Sequence, residues 1–275
     1  NLPKGEKKMN NYRLIATDMD DTLLNKEHLI SEENKKAIIG IQKKGVKFVL
    51  ASGRPTYAMI DFAKDLEMNK YGGFILGFNG GEIVDISNGE TIFEQALALE
   101  DIKIIYKEAI DRELSFLFYT GDTIYANELN IYTEEEVVLT GMKYKKIENI
   151  DLIDVENTIK CMILGEPQKL TIAQKEIHEK YKEKYVVNIS KPIFMEFTSK
   201  GINKGLSIQR LCSNIGLETE NIICVGDSYN DMSMLEIAGL PVAVENAREE
   251  LKRVSKFITT SNNHHALKTV IDEFF

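Results

Sequence analysis

The strongest constraint on this chain is a repeated unit: a short apolar run, a polar or glycine-rich turn, then an amphipathic helix. Leu14-Ile15-Ala16 runs to Asp18. Ser31 then suits a helix N-cap, Glu32 and Glu33 suit the positive end of the dipole, and Gly45 supplies a left-handed stop. Ala37, Ile38 and Ile41 form the helix's apolar stripe. Phe48-Val49-Leu50-Ala51 runs to Ser52-Gly53-Arg54, and Pro55 fits the first turn of the next helix. Phe74-Ile75-Leu76 ends at Asn79-Gly80-Gly81. The unit returns late in the chain. Asn203 caps a helix stopped by Gly216, Ile222-Ile223-Cys224-Val225 ends at Gly226-Asp227, and Ser228 caps the helix after it. Short apolar runs alternating with helices predict strands buried on both faces. The expected class is α/β, a Rossmann-like, doubly wound parallel sheet.

The middle of the chain reads differently. Ser115–Tyr119, Lys160–Leu164 and Ile193–Phe197 alternate, and charged helical stretches lie near 100–112 and 168–182. Strands with one polar face suit an open antiparallel sheet with helices on its other side. The expected organisation is a core domain of residues 1–85 and 195–275 with an inserted α/β domain at 86–194. Flexible joints are expected at Ser87-Asn88-Gly89 and Ser190-Lys191-Pro192.

Composition excludes several classes of function. The 275 residues carry 34 Lys and Arg against 43 Asp and Glu, a net charge of −9. An acidic chain of this kind makes a poor general nucleic-acid binder, because phosphate binding needs a basic face. No apolar run approaches the roughly 20 residues needed to span a bilayer. The polar start, Asn1 to Lys8, reads as a frayed leader without a signal peptide, with Met9 as an internal start. Three cysteines, Cys161, Cys212 and Cys224, lack metal-ligand spacing and predict buried, reduced thiols in a cytoplasmic protein.

Ligands of open parallel sheets sit beyond the carboxyl ends of the strands. Those ends deliver Asp18, Met19, Asp20, Asp21 and Thr22; then Ser52 and Gly53; then Asp227, Ser228, Asn230 and Asp231. Lys204 opens the helix before the last of these strands. Any one of these groups is an ordinary turn or cap, but together, each at its own strand or helix end, they form a site. Two carboxylates about 4 Å apart repel by about 4 kcal/mol at an effective dielectric near 20. Asp18, Asp20 and Asp227 therefore call for a cation, and an all-oxygen donor set points to Mg²⁺. Lys204, Ser52 and helix-start N–H groups offer an anion site beside it. A metal, an anion hole and a free carboxylate suit phosphoryl transfer. Asp18 can attack phosphorus and form an aspartyl-phosphate, while Asp20 can protonate the leaving oxygen and later deprotonate water. Both reach one group only if the chain bends between them, which Asp21 and Thr22 supply.

These residues resemble the haloacid dehalogenase superfamily of phosphohydrolases. Asp18-Met19-Asp20-Asp21-Thr22 is similar to its first motif, with Asp21 where Gly is commonest. Ala51-Ser52-Gly53-Arg54-Pro55 resembles the second motif of the Cof-like branch. Lys200-Gly201-Ile202-Asn203-Lys204-Gly205 resembles the third, and Val225 to Met232 the fourth. An insertion between the second and third motifs marks a type 2 cap. The resemblance implies Asp18 as nucleophile and Asp20 as general acid and base. It implies Mg²⁺ on Asp18, the Asp20 carbonyl and Asp227, with Asp231 behind them or bridged by water. Phosphate would lie on the Met19 amide, Ser52, Gly53, Lys204 and Asn230.

The expected function is a Mg²⁺-dependent phosphatase of small phosphorylated metabolites, sugar phosphates among them, with no nucleic-acid or membrane partner. The alternatives are a phosphomutase using the same intermediate, and a non-catalytic phospho-acceptor or phospho-ligand binding protein. Phe118, Tyr119, Tyr125 and Tyr132 are the aromatic candidates for reading the leaving group, against a plain role in the core of a small sheet.

Overall fold

The computed structural model describes residues 11–155 and 157–275. The polar start and Met9 lie outside the described residues. The chain enters with β1 (Leu14–Thr17), β2 (Lys47–Ala51), β3 (Phe74–Gly77), β4 (Glu82–Asp85) and β5 (Thr91–Glu94). It continues through β6 (Ser115–Thr120), β7 (Thr123–Ala126), β8 (Lys143–Lys146), β9 (Lys160–Leu164), β10 (Tyr185–Lys191) and β11 (Phe194–Ser199). It closes with β12 (Ile222–Gly226), β13 (Leu240–Val244) and β14 (Phe257–Thr259).

The core sheet has eight strands in the order β14-β13-β12-β1-β2-β3-β4-β5. The first six are parallel, and β4 and β5 add an antiparallel edge. Strand β1 lies between β2 and β12, with Leu14 opposite Lys47 on one side and Ile222 on the other. The turns after these three strands are therefore neighbours, although they come from opposite ends of the sequence. Every residue of β1 and β12 is buried, as continuous apolar runs in a sheet covered on both faces require. Helix Lys204–Ile215 begins where Asn203 Oδ1 accepts the Leu206 N–H at 2.8 Å, a cap worth about 1 kcal/mol, and ends at left-handed Gly216.

The insert forms its own six-stranded sheet, β10-β11-β9-β6-β7-β8, antiparallel except for the β7–β8 pair. Helices Leu99–Ile110 and Pro167–Tyr181 cover one face through Ile102, Ile105, Leu170 and Ile177. The other face is not polar, contrary to the sequence expectation. Leu117, Tyr119, Met162 and Leu164 pack there with Phe78 and Ile202 of the core. The helix Ile131–Thr140 lies on this side too.

The expected boundaries at 86 and 194 need correction. Thr91–Glu94 belongs to the core sheet, and Phe194–Ser199 to the smaller one. Ser87-Asn88-Gly89 is the tight turn between β4 and β5, with Gly89 N–H bonded to Asp85 O at 2.8 Å. Ser190-Lys191-Pro192 lies within the β10–β11 hairpin, not at a joint. Thr91–Glu94 is a short edge strand whose two end residues are exposed and which shows no alternation, so nothing in the sequence marks it as an extension of the core sheet.

Candidate active site

The turn after β1 bends within five residues. Leu24 N–H closes a wide ring onto Met19 O at 2.9 Å, and Asp21 takes left-handed geometry at φ 58°. Aspartate tolerates that geometry better than most residues, and glycine best. The expected bend is thus present, and it leaves Asp18 buried and Asp20 half-exposed.

Asp18 lies over the opening of helix Lys204–Ile215. Lys204 Nζ donates to Asp18 Oδ1 at 2.8 Å and to Asp231 Oδ1 at 2.7 Å, and the ammonium is fully buried. Asp231 is also fully buried. Its Oδ2 accepts the Asp227 and Ser228 N–H groups at 2.9 and 3.1 Å. Gly226 makes room for this packing, since a Cβ there would come within 2.5 Å of the Asp231 side chain. Both oxygens of Asp231 are therefore occupied, and the residue orients Lys204 and the β12 turn. Asp227 accepts from Thr22 Oγ1 at 2.8 Å and from Ser228 Oγ at 2.6 Å.

Carboxylate oxygens of Asp18, Asp227 and Asp231 lie within 4.8 Å of one another. Burial pushes the Asp18 carboxyl well above its ordinary range. Asp231 and Asp227 push the same way, and only Lys204 opposes. Burial also raises Asp227. Burial alone would lower Lys204, but Asp18 and Asp231 more than offset it and keep the ammonium charged. One ammonium against three carboxylates leaves a buried negative excess, and the donors are all oxygen. Such a site fits a hard divalent cation beside Asp18 and Asp227.

The anion side lies next to it. Ser52 Oγ accepts the Arg54 N–H at 3.1 Å, and among the described residues the Gly53 N–H has no acceptor. Asn230 Nδ2 donates to Asn79 Oδ1 at 3.0 Å. All of these except Lys204 and Met19 line one cavity of about 450 Å³ with Asp18, Asp20 and Asp227. Lys204 sits beneath Asp18, and Met19 is buried in the turn.

Several residues in this cleft had no role from the sequence. Arg54 grips Asp20 with two parallel bonds, Nε to Oδ2 at 2.8 Å and Nη2 to Oδ1 at 2.7 Å. Burial would raise the Asp20 carboxyl, yet the guanidinium overrides it and holds the group below its ordinary value. Asn79 and its neighbour Phe78 are both left-handed, at φ 58° and 53°. Gly80 follows at φ 93°, where a Cβ would lie 2.6 Å from Ser207 Oγ. The strained turn aims Asn79 at Asn230. From the insert come Glu136, Lys160, Ser190, Phe194 and Glu196. For Lys160 and Glu196 the signal was a charged residue set into an otherwise apolar strand, Lys160 before Cys161–Leu164 and Glu196 within Phe194–Phe197. The four aromatic candidates do not line the cavity. Phe118 is buried against Tyr125 in a stacked pair 5.1 Å apart, Tyr132 packs in the insert, and the Tyr119 hydroxyl serves Glu136.

The sequence matches the haloacid dehalogenase-like hydrolases over residues 15–271. The chain belongs to that family. A Streptococcus pyogenes serotype M6 protein is 34% identical, over 91% of this chain and 94% of its own. A Bacillus subtilis protein named 5-amino-6-(5-phospho-D-ribitylamino)uracil phosphatase is 32% identical, over 91% of this chain and 90% of its own. The crystal structure of a haloacid dehalogenase-like hydrolase from Bacteroides thetaiotaomicron superposes with a TM-score of 0.93 at 37% identity, covering 96% of this chain and all of that one. The expected Cof-like phosphatase of this family, with its α/β core, is borne out. Enzymes of this family generally use a divalent metal, and the acidic cluster suits one.

Proposed function

We propose that this phosphatase hydrolyses small phosphorylated metabolites, sugar phosphates among them, through an aspartyl-phosphate on Asp18 with Mg²⁺ as the cation. The observation that carries the reading is the buried Asp18–Lys204–Asp231 triad with Asp227 beside it, next to the unfilled Gly53 N–H. Asp18, the Asp20 carbonyl and Asp227 would hold Mg²⁺. When bound, it offsets the carboxylates' charge and polarises the phosphoryl oxygens. The Met19 and Gly53 amides, Ser52, Lys204 and Asn230 hold the phosphoryl group and face the charge that builds on it in the transition state.

Asp18 attacks phosphorus. Its Oδ–P bond forms as the bond from phosphorus to the leaving oxygen breaks, and Asp20 gives that oxygen a proton. Water then attacks the Asp18 phosphoryl group, Asp20 takes the water's proton, and inorganic phosphate leaves. Arg54 keeps Asp20 ionised in the resting site; Asp20 therefore acts in the first step only after it leaves the guanidinium and takes a proton from solvent, and the proton it takes from water in the second step restores that acid form.

The catalytic core comprises residues up to about 95 and from about 200 onward, and the insert between them is a cap over the cleft. The three cysteines are free and buried, which supports a cytoplasmic, reducing setting. Among the described residues no helix is long and apolar enough to cross a membrane. The test is phosphate release from p-nitrophenyl phosphate with and without Mg²⁺. Mg²⁺-dependent turnover with no need for a bisphosphate activator is expected. A requirement for that activator would make the protein a mutase, and no turnover at all would make it a binding protein.

A further inference from the structure

The core builds the phosphate side of the cleft, while the insert builds the side where a leaving group would lie. Glu136, on helix Ile131–Thr140, lines this side and is only 7% exposed. Its Oε1 accepts the Tyr119 hydroxyl at 2.7 Å, and among the described residues its Oε2 has no partner. On a side chain this deep in a cavity lining, a carboxylate oxygen without a protein partner is satisfied by a donor that enters the cavity, water or ligand. Glu196 on β11 repeats the arrangement. Its Oε1 accepts from Lys160 Nζ at 3.0 Å and from Ser190 Oγ at 2.9 Å, and its Oε2 is likewise without a partner among the described residues. Lys160 is held in turn by the Gly53 carbonyl at 3.2 Å and by the rings of Tyr119 and Phe78.

The cations of this cleft are committed to carboxylates. Arg54 serves Asp20, Lys160 serves Glu196, Lys191 serves Glu135, and Lys204 serves Asp18 and Asp231. Apart from Arg54, which the proposed first step frees beside the phosphoryl group, none of these cations stands unpaired for a second anion among the described residues. Phe194 lines the same cavity, with the Lys191 ammonium 5.1 Å from the centre of its ring.

We propose that Glu136 and Glu196 are specificity-determining residues for the leaving group. Aimed by Tyr119 and by Lys160 with Ser190, they accept hydrogen bonds from an uncharged polyol and turn away a leaving group that bears a second anionic group. The inference rests on the phosphatase reading above.

The test uses the whole chain with Mg²⁺ and two substrates of one carbon skeleton. D-sorbitol 6-phosphate ends in a hydroxyl, and 6-phosphogluconate ends in a carboxylate. A site built to receive a donor rejects the analogue lacking it, so kcat/KM should favour the sorbitol ester by about a hundredfold. Glu136→Gln keeps the shape and removes the charge. It should narrow that ratio about tenfold or more, chiefly through KM. Tyr119→Phe removes the bond that aims Glu136 and should narrow the ratio as well, which covers a failure of Glu136→Gln to fold.

A wild-type ratio near unity overturns the inference. So does a ratio that neither Glu136→Gln nor Glu196→Gln changes. If p-nitrophenyl phosphate is turned over without selectivity between the two esters, only this inference falls. If no phosphate ester is turned over, the phosphatase reading falls with it.

Discussion

A buried carboxylate cluster in the core cleft and a single buried carboxylate in the insert are pushed by their neighbours in opposite directions. In the core cleft, Asp18 and Asp227 are raised because burial and neighbouring carboxylates outweigh the single ammonium of Lys204. In the insert, Glu108 accepts from Lys180, Arg112 and the Tyr181 hydroxyl. Burial there would raise Glu108, but these partners bring it down to about 2. The insert cluster is closed, since its cations already match its carboxylate. The cleft cluster is open, with a negative excess that only something from outside can balance. Burial of acidic groups is common to both, so the sign of the imbalance, not burial itself, separates a structural ion cluster from a site.

The contrast breaks first at Asp18. Asp18→Asn should lower turnover at least about 10⁴-fold while circular dichroism shows an intact fold. Near-wild-type activity would remove Asp18 as nucleophile. Next comes Lys204→Ala, which strands Asp18 and Asp231 without a counter-charge. It should cost about 3–5 kcal/mol in urea unfolding and slow turnover about 10²-fold or more. The matching change in the insert, Lys180→Met, removes an ammonium on a side chain 60% exposed and should cost under about 1 kcal/mol. Equal costs would erase the distinction between the clusters.

A smaller effect tests the charge excess directly. Mg²⁺ at about a hundred times its dissociation constant should stabilise the wild type by about 2.7 kcal/mol in thermal unfolding. Asp227→Asn should lose most of that gain, and a full gain in the variant would move the cation elsewhere.

The closed cluster is tested through the pH dependence of Glu108. Its folded value of about 2 lies below its ordinary 4.5, so its stabilisation is complete above about pH 4.5 and fades as the pH falls toward 2. After allowance for the exposed Lys180 partner, Glu108→Gln should destabilise by about 1–2 kcal/mol at pH 7. The gap to wild type should shrink at pH 3.5. A gap that stays constant would show that the cluster does not act through charge.

Much of this was legible in the sequence because the relevant signals are local. Apolar runs ending in Asp18, Ser52 and Asp227 fix three adjacent strand ends once the sheet is parallel, and caps such as Ser31 and Asn203 mark their helices directly. What stayed hidden depends on pairing across long separations. The Arg54–Asp20 bond spans 34 residues and the Lys160–Glu196 bond spans 36. Neither has a local pattern that names its partner. Thr91–Glu94 was misplaced because a half-exposed edge strand of four residues looks the same in either sheet. Tyr119 and Phe118 were weighed for the cleft by residue type, but strand alternation and the helix Ile131–Thr140 decide which faces point where.

Asp18 and its ammonium partner Lys204 stand 186 residues apart, and Thr22 reaches Asp227 across 205. During synthesis, β1 and β2 leave the ribosome long before β12 exists to lie beside them. A nascent chain therefore carries Asp18 with neither the ammonium of Lys204 nor the carboxylate of Asp227 beside it. The cluster is complete only when the last quarter of the polypeptide docks, so under the proposed mechanism a chain truncated before Lys204 is expected to be inert.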